Sequence, residues 1–233
     1  MEGPQSTTFE VEGAAPELAV LGVGSFEQHS RHLPLETDFF FAGRVSLEVA
    51  QVLEAFYLNP LPYSVSICHR GFAGTVTLKP DTLRRVLWDI AASLSDWGVR
   101  YLAVLNAHGG NFILNPSIRE WNMERRSPRI MLIELEGGYE KTFPNLHACE
   151  VETSLMLHLA PEKVRLNRAV DFVPSCPRAD LTHFGMKRIS PEGVWGYPTR
   201  ASAEKGRKWF ADCVAYCLER VRSLRASWER GDR

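Results

Sequence analysis

Residues 18–38 read LAVLGVGSFEQHSRHLPLETD, and the fold turns on the two halves of that stretch. Leu18-Ala19-Val20-Leu21-Gly22-Val23 is a short apolar run of the kind that forms a strand buried on both faces. It empties into a polar loop that ends at Asp38. Residues 39–56 then carry Val45, Val49, Val52 and Leu53 at the spacing of one helical face. Strand, polar loop and amphipathic helix in succession form the first part of a βαβ unit.

The pattern repeats along the chain. Residues 63–68 alternate and include β-branched side chains, which predicts a second strand. Pro80-Asp81-Thr82 opens a helix with Leu83, Val86, Leu87, Ile90, Leu94 and Trp97 on one stripe, closed by Gly98. Residues 101–105 form a third strand, stopped by Asn106-Ala107-His108-Gly109-Gly110-Asn111. A helix, a strand over residues 130–135 and a helix through Glu152 follow. Residues 161–200 hold many of the prolines and read as irregular, and a long helix begins at Ala201. The expectation is one α/β domain over residues 1–233, with a mainly parallel sheet covered on both faces.

Composition narrows the function. The 27 Lys+Arg against 28 Asp+Glu leave a net charge of −1, without the basic excess that a nucleic-acid backbone demands. No run of ~18 apolar residues suggests a membrane span. The polar, acidic first residues do not resemble a signal peptide. Five cysteines without a CxxC pair point to a reducing compartment, so the expected location is the cytoplasm, with neither nucleic acid nor membrane as partner. A GxSxG elbow, a P-loop and a complete dinucleotide fingerprint are all missing.

In parallel sheets, ligands sit beyond the carboxyl ends of the strands. The loop after the first strand places Glu27 and His29 two residues apart, on one side of extended backbone, and Asp38 where the helix begins, an N-cap position. Such side chains suit zinc, manganese or iron. His108 ends the third strand beside two glycines. The third cluster is His147-Ala148-Cys149-Glu150-Val151-Glu152. On an ideal helix His147 and Glu150 share a face and Glu152 points elsewhere. Either one glutamate stands outside the site, or the helix begins near Glu150 and its first turn opens into it. Acidic residues at a helix start also have a purely electrostatic explanation. His32 is a candidate for orienting His29 or Asp38, and His69 for lining the pocket. Cys213 and Cys217 read as core.

Five stretches in order, GSFEQHSRHLPLETD, GFAGTVTLKPDTL, NAHGGN, HACEVETSLMLHLAPEKV and GVWGYPTRASAEKG, resemble the creatininase (creatinine amidohydrolase) family. The resemblance implies a three-layer α/β/α fold and a homo-oligomer, often a hexamer. It also implies two divalent metal ions (Zn, Mn or Fe) sharing Asp38, with Glu27, His29 and His108 as further ligands. His147 aligns with a proton-shuttling histidine and Glu152 with a shared glutamate near it. In creatinine-hydrolysing members a glutamate two residues after the loop histidine completes the second metal; here that position is Gly110, and Glu150 is the candidate replacement.

Other departures are Ser30-Arg31 for Gly-Pro, Ala73 for a proline, Tyr197 for an aspartate before Pro198, and no tryptophan in loop 136–146. The implied activity is an amidohydrolase that cleaves a C–N bond of a small polar substrate, a cyclic amide or formamide, with a metal-activated water. A peptidase, and a catalytically silent metal-binding subunit or ligand-binding module, stand as alternatives.

Overall fold

The computed structural model describes residues 1–124, 126–139 and 144–231. A short helix α1 (Thr8–Ala14) precedes β1 (Leu18–Val23), α2 (Thr37–Leu53) and β2 (Phe56–Leu61). Then come α3 (Pro80–Asp96), β3 (Tyr101–Asn106), α4 (Leu114–Met123) and β4 (Arg129–Glu134). After these lie α5 (Glu150–Leu159), two single-turn helices α6 (Leu181–Phe184) and α7 (Met186–Ile189), and the long α8 (Ala203–Gly231). The four strands are parallel, in the order β2-β1-β3-β4.

Side-chain alternation along the central strands separates two cores, as strand geometry demands. Val20, Ala103 and Leu105 face Val45 and Val49 of α2, Leu155 of α5 and Cys213, Cys217 and Val221 of α8. Ala19, Leu21, Leu102 and Val104 face Leu83 and Leu87 of α3 and Ile118 and Trp121 of α4. This is the expected three-layer α/β/α arrangement. Cys213 and Cys217 are fully buried core residues, as the helical stripe suggests.

The second strand departs from the sequence expectation. It occupies Phe56–Leu61, and residues 63–66 run on past the sheet instead of forming it. The reason is the edge position: β2 pairs with β1 alone, so Pro60 sits in a strand that does not need every N–H. The alternation at 63–66 reflects packing against the loops above the sheet, where Ser64 Oγ donates to the Gly24 carbonyl (2.5 Å) and Val65 N–H donates to Asn111 Oδ1 (3.0 Å).

Strand order reverses between β1 and β3, since the chain leaves β1 toward β2 and leaves β3 toward β4. The crevice above those two carboxyl ends is the ligand position of open α/β sheets. The loops carrying Glu27, His29 and His108 both start there.

Candidate metal centre and active-site cleft

The loop after β1 ends in α2, and the helix starts two residues earlier than an Asp38 N-cap would require. Glu36 takes the cap position and Asp38 lies in the first turn. Its carboxylate is drawn inward, accepting from Ser25 Oγ (2.9 Å), while the positive end of α2 favours its charge. The loop after β3 is braced by its own asparagines. Asn106 donates to the His108 carbonyl (3.0 Å) and to Glu134 (2.7 Å), and Asn111 donates to Asn106 Oδ1 (2.9 Å).

Those two loops deliver His29 and His108 to opposite oxygens of Asp38. His29 Nδ1–H donates to the Glu27 carbonyl (3.1 Å), which leaves Nε2 facing Asp38 Oδ1 at 3.2 Å. His108 Nε2–H donates to the Val65 carbonyl (3.0 Å), which leaves Nδ1 facing Asp38 Oδ2 at 3.0 Å. A backbone carbonyl has no proton to give, so each tether fixes which ring nitrogen carries the hydrogen. Each remaining lone pair then points at a carboxylate oxygen. That arrangement is repulsive unless something positive lies between them.

The titration behaviour follows. Burial opposes charge on His29, but Asp38, Glu152 and Glu27 outweigh it and push its pKa up to about 10. Burial likewise opposes charge on His108, and Glu27 and Asp38 push it up to about 9. Burial works against ionisation of Asp38, yet the two imidazoles hold its carboxyl well below the usual range.

Glu27 completes one side. Its carboxylate is fully buried, and the nearest nitrogens are His108 Nε2 (3.1 Å) and His69 Nε2 (3.4 Å). Burial raises its pKa, against the pull of His108. Glu152 stands on the other side, 3.9 Å from His29 Nε2. Donor atoms of Glu27, His29 and Asp38 lie within 4.8 Å of one another, as do those of His29, His147 and Glu152 and those of Glu27, His69 and His147. This buried, oxygen- and imidazole-rich set fits a pair of divalent cations.

The structure does not bring Glu150 into the cluster. Helix α5 begins at Glu150, so its first turn opens into the site and Glu152 is the glutamate that faces it. Glu150 instead pairs with Lys205 of α8 (2.7 Å). Gly110 is not a vacated ligand position either, because a Cβ there would lie 2.2 Å from His108 Nε2 and 2.5 Å from the Val65 carbonyl. Ser30, where the family pattern has glycine, holds the left-handed backbone (φ 61°) that glycine adopts without strain.

His147 lies between the clusters, with ring centroids 4.4 Å from His29 and 4.3 Å from His69. Burial and the neighbouring imidazoles hold its pKa well below the ordinary histidine value. His32 faces Thr153 of α5 (3.0 Å) and not the carboxylates, and burial lowers it to about 4. His69 and Gln28 are the site residues that sequence reasoning weighed least. Gln28 lies within the first matching stretch, and His69 stands two residues before the second.

A cleft of about 960 Å³ opens above this cluster. Asp38, His69, His108, His147 and Glu152 form its floor, Ile67, Phe112, Leu181 and Phe184 its apolar walls, and Arg70, Arg178 and Lys187 its basic rim. Part of loop 136–146 also reaches it, although residues 140–143 lie outside the described residues.

A parallel α/β/α sheet with a carboxylate-bridged pair of imidazole sites at its switch point defines a metal-dependent hydrolase. The chain belongs to the creatininase family: the family model described as creatinine amidohydrolase matches residues 4–221. It is 32% identical, over 97% of its length and 91% of the relative's, to a mycofactocin precursor peptide peptidase of Mycobacterium ulcerans. It is 28% identical to a creatinine amidohydrolase of Pseudomonas putida, over 92% of each chain. Among solved structures, a creatinine amidohydrolase (creatininase) superposes with a TM-score of 0.80 at 25% identity, covering 92% of this chain and 94% of that one. A mutant creatininase of "Zn-Zn type" gives 0.81 at 25% identity, covering 94% and 96%. Among the described residues, no helix is long and apolar enough to cross a membrane.

Proposed function

We propose that this chain is a metal-dependent peptidase that hydrolyses a peptide bond in a short peptide. The observation carrying this reading is the 31–33% identity, over more than nine-tenths of the chain, to relatives named mycofactocin precursor peptide peptidase. The cleft supports it. Exposed Phe112 and Phe184 offer apolar contacts, and Arg178, with Nη2 3.5 Å from where a Gly109 Cβ would stand, offers a fork for carboxylate or carbonyl oxygens.

In this reading Asp38, Glu27, His29, His108 and Glu152 would hold two divalent cations. Such a pair supplies an acidified water and polarises the scissile carbonyl. The remaining work falls to the chain. His147 is neutral at neutral pH because burial keeps it so, which makes it a proton acceptor first. It takes a proton from the attacking water and returns it to the leaving amine as the C–N bond breaks. The products are a carboxylate and a free amine, and one water is consumed.

The test is turnover by zinc- or manganese-loaded protein of a panel of short peptides, creatinine and N-formyl compounds, in water enriched in 18O. Peptide cleavage with one 18O in the new carboxylate is expected. Turnover of creatinine or formamides with intact peptides would support the small-amide reading instead. Metal binding without turnover across the panel would support a silent subunit.

A further inference from the structure

Distance alone makes His69 a possible metal donor, since it shares a set with Glu27 and His147. The hydrogen bonds around Gln28 argue otherwise. Ser30 N–H donates to Gln28 Oε1 (2.9 Å), so the carbamoyl oxygen is identified and the other end must be the NH2. That NH2 lies 2.9 Å from His69 Nδ1, 2.9 Å from His147 Nε2 and 3.3 Å from the Gly193 carbonyl. His147 Nε2 is also 2.8 Å from the Gln28 carbonyl, which can only accept. A protonated Nε2 on His147 cannot also accept from the Gln28 NH2, so the carbonyl decides the pattern. His147 donates Nε2–H to that carbonyl, and the Gln28 NH2 donates to His69 Nδ1 and to the Gly193 carbonyl.

We infer that Gln28 is a positioning residue that sets the tautomers of His69 and His147, making His69 a donor to Glu27 and not a metal ligand. With Nδ1 accepting from Gln28, the single proton of neutral His69 resides on Nε2, which faces Glu27 Oε1 at 3.4 Å. With Nε2 donating to the Gln28 backbone, His147 keeps an unprotonated Nδ1 toward the floor of the cleft. That Nδ1 lies 3.8 Å from Glu27 Oε1.

The irregular segment before α8 secures the amide. Gly193 has φ +72°, and a Cβ there would lie 1.9 Å from Gln28 Oε1, so only glycine leaves room. Two residues on, Trp195 pairs with His147 through both backbone groups, Trp195 N–H to the His147 carbonyl (2.8 Å) and the reverse (3.2 Å). The stretch GVWG, which the hydrolytic chemistry left without a role, thus clamps both the positioning amide and the backbone of His147.

The tautomer assignment stands whatever the substrate is; its consequence for turnover rests on His147 carrying the proton, as proposed above. The decisive experiment is long-range 1H–15N correlation of the histidine rings in full-length, zinc-saturated wild-type protein, with metal content measured alongside. The expected result is His69 protonated on Nε2 and His147 protonated on Nε2, with two zinc ions per chain. His69→Gln, which returns an NH2 near the place of Nε2–H, should keep both ions. His69→Leu and Gln28→Leu should weaken metal binding by about 10–100-fold, the usual cost of losing a group that orients a ligand. A zinc-bound, unprotonated Nε2 on His69 overturns the inference, as does a saturated stoichiometry of one ion in His69→Gln. Failure of peptide turnover with the expected tautomers would count against the peptidase reading and leave this one standing.

Discussion

His29 and His108 share one buried site with His69 and His147, yet the two pairs titrate in opposite directions. The first pair is pushed up to about 10 and about 9; His69 is lowered to about 3 and His147 well below the ordinary value. Burial penalises charge on all four rings. The partners differ. Each ring of the first pair aims a lone pair at one oxygen of Asp38, whereas the second pair is held by the neutral amide and backbone of Gln28. Burial sets the penalty and the partner decides the sign. One pair attracts positive charge, as the proposed cation site requires, and the other excludes it, as the proposed neutral proton carrier requires.

The largest effect is expected on the first pair. Asp38→Ala removes the shared carboxylate, so both ions and all measurable turnover should disappear, read by metal content and by the peptide assay. Retention of one tightly held ion would break the symmetry drawn between His29 and His108. Next comes the second pair. His147→Ala should keep two ions per chain and lose about 10²–10⁴-fold in kcat. Loss of an ion instead would move His147 into the ligand set.

Acid stability separates the lowered rings from the raised ones. His32 and His69, lowered to about 4 and about 3, stay neutral in the folded chain below the ordinary histidine pKa of 6.5. As pH falls from 6.5 toward those values the unfolded chain binds protons that the folded chain refuses, so stability drops. His29 and His108 act oppositely in metal-free protein. Their stabilisation is complete below 6.5 and is lost as pH rises through about 9–10. Metal-free melting temperatures should therefore decline on both flanks, and a flat profile between pH 6 and 4 would contradict the neutral assignment. The smallest effect is expected at Glu150. Glu150→Ala removes a partly exposed pair with Lys205, costing about 1 kcal/mol or less and leaving metal content unchanged.

Much of this was legible in the chain. The apolar runs at 18–23 and 101–106 and the stripes of α3 and α8 mark the layers because burial on two faces imposes local patterns. The loops after β1 and β3 mark the site because a parallel sheet collects its ligands there. Three things were not local. Pro60 disguises β2, whose tolerance of proline depends on its place at the sheet edge. The choice between Glu150 and Glu152 depends on where α5 starts and on Lys205, 55 residues away. Gln28 acquires its role only when residues 69, 147 and 193 converge on it, which no spacing in the sequence encodes.

Asp38, with His29 facing one oxygen and His108 the other, is expected to take up two cations in place of two protons. Calorimetric titration of zinc into metal-free protein at pH 7.5, repeated in buffers of different ionisation enthalpy, measures ions bound and protons released together. Two zinc ions per chain and at least about one proton released with each are expected, since both imidazoles are protonated before binding. A single ion per chain, or two bound without proton release, would contradict that exchange.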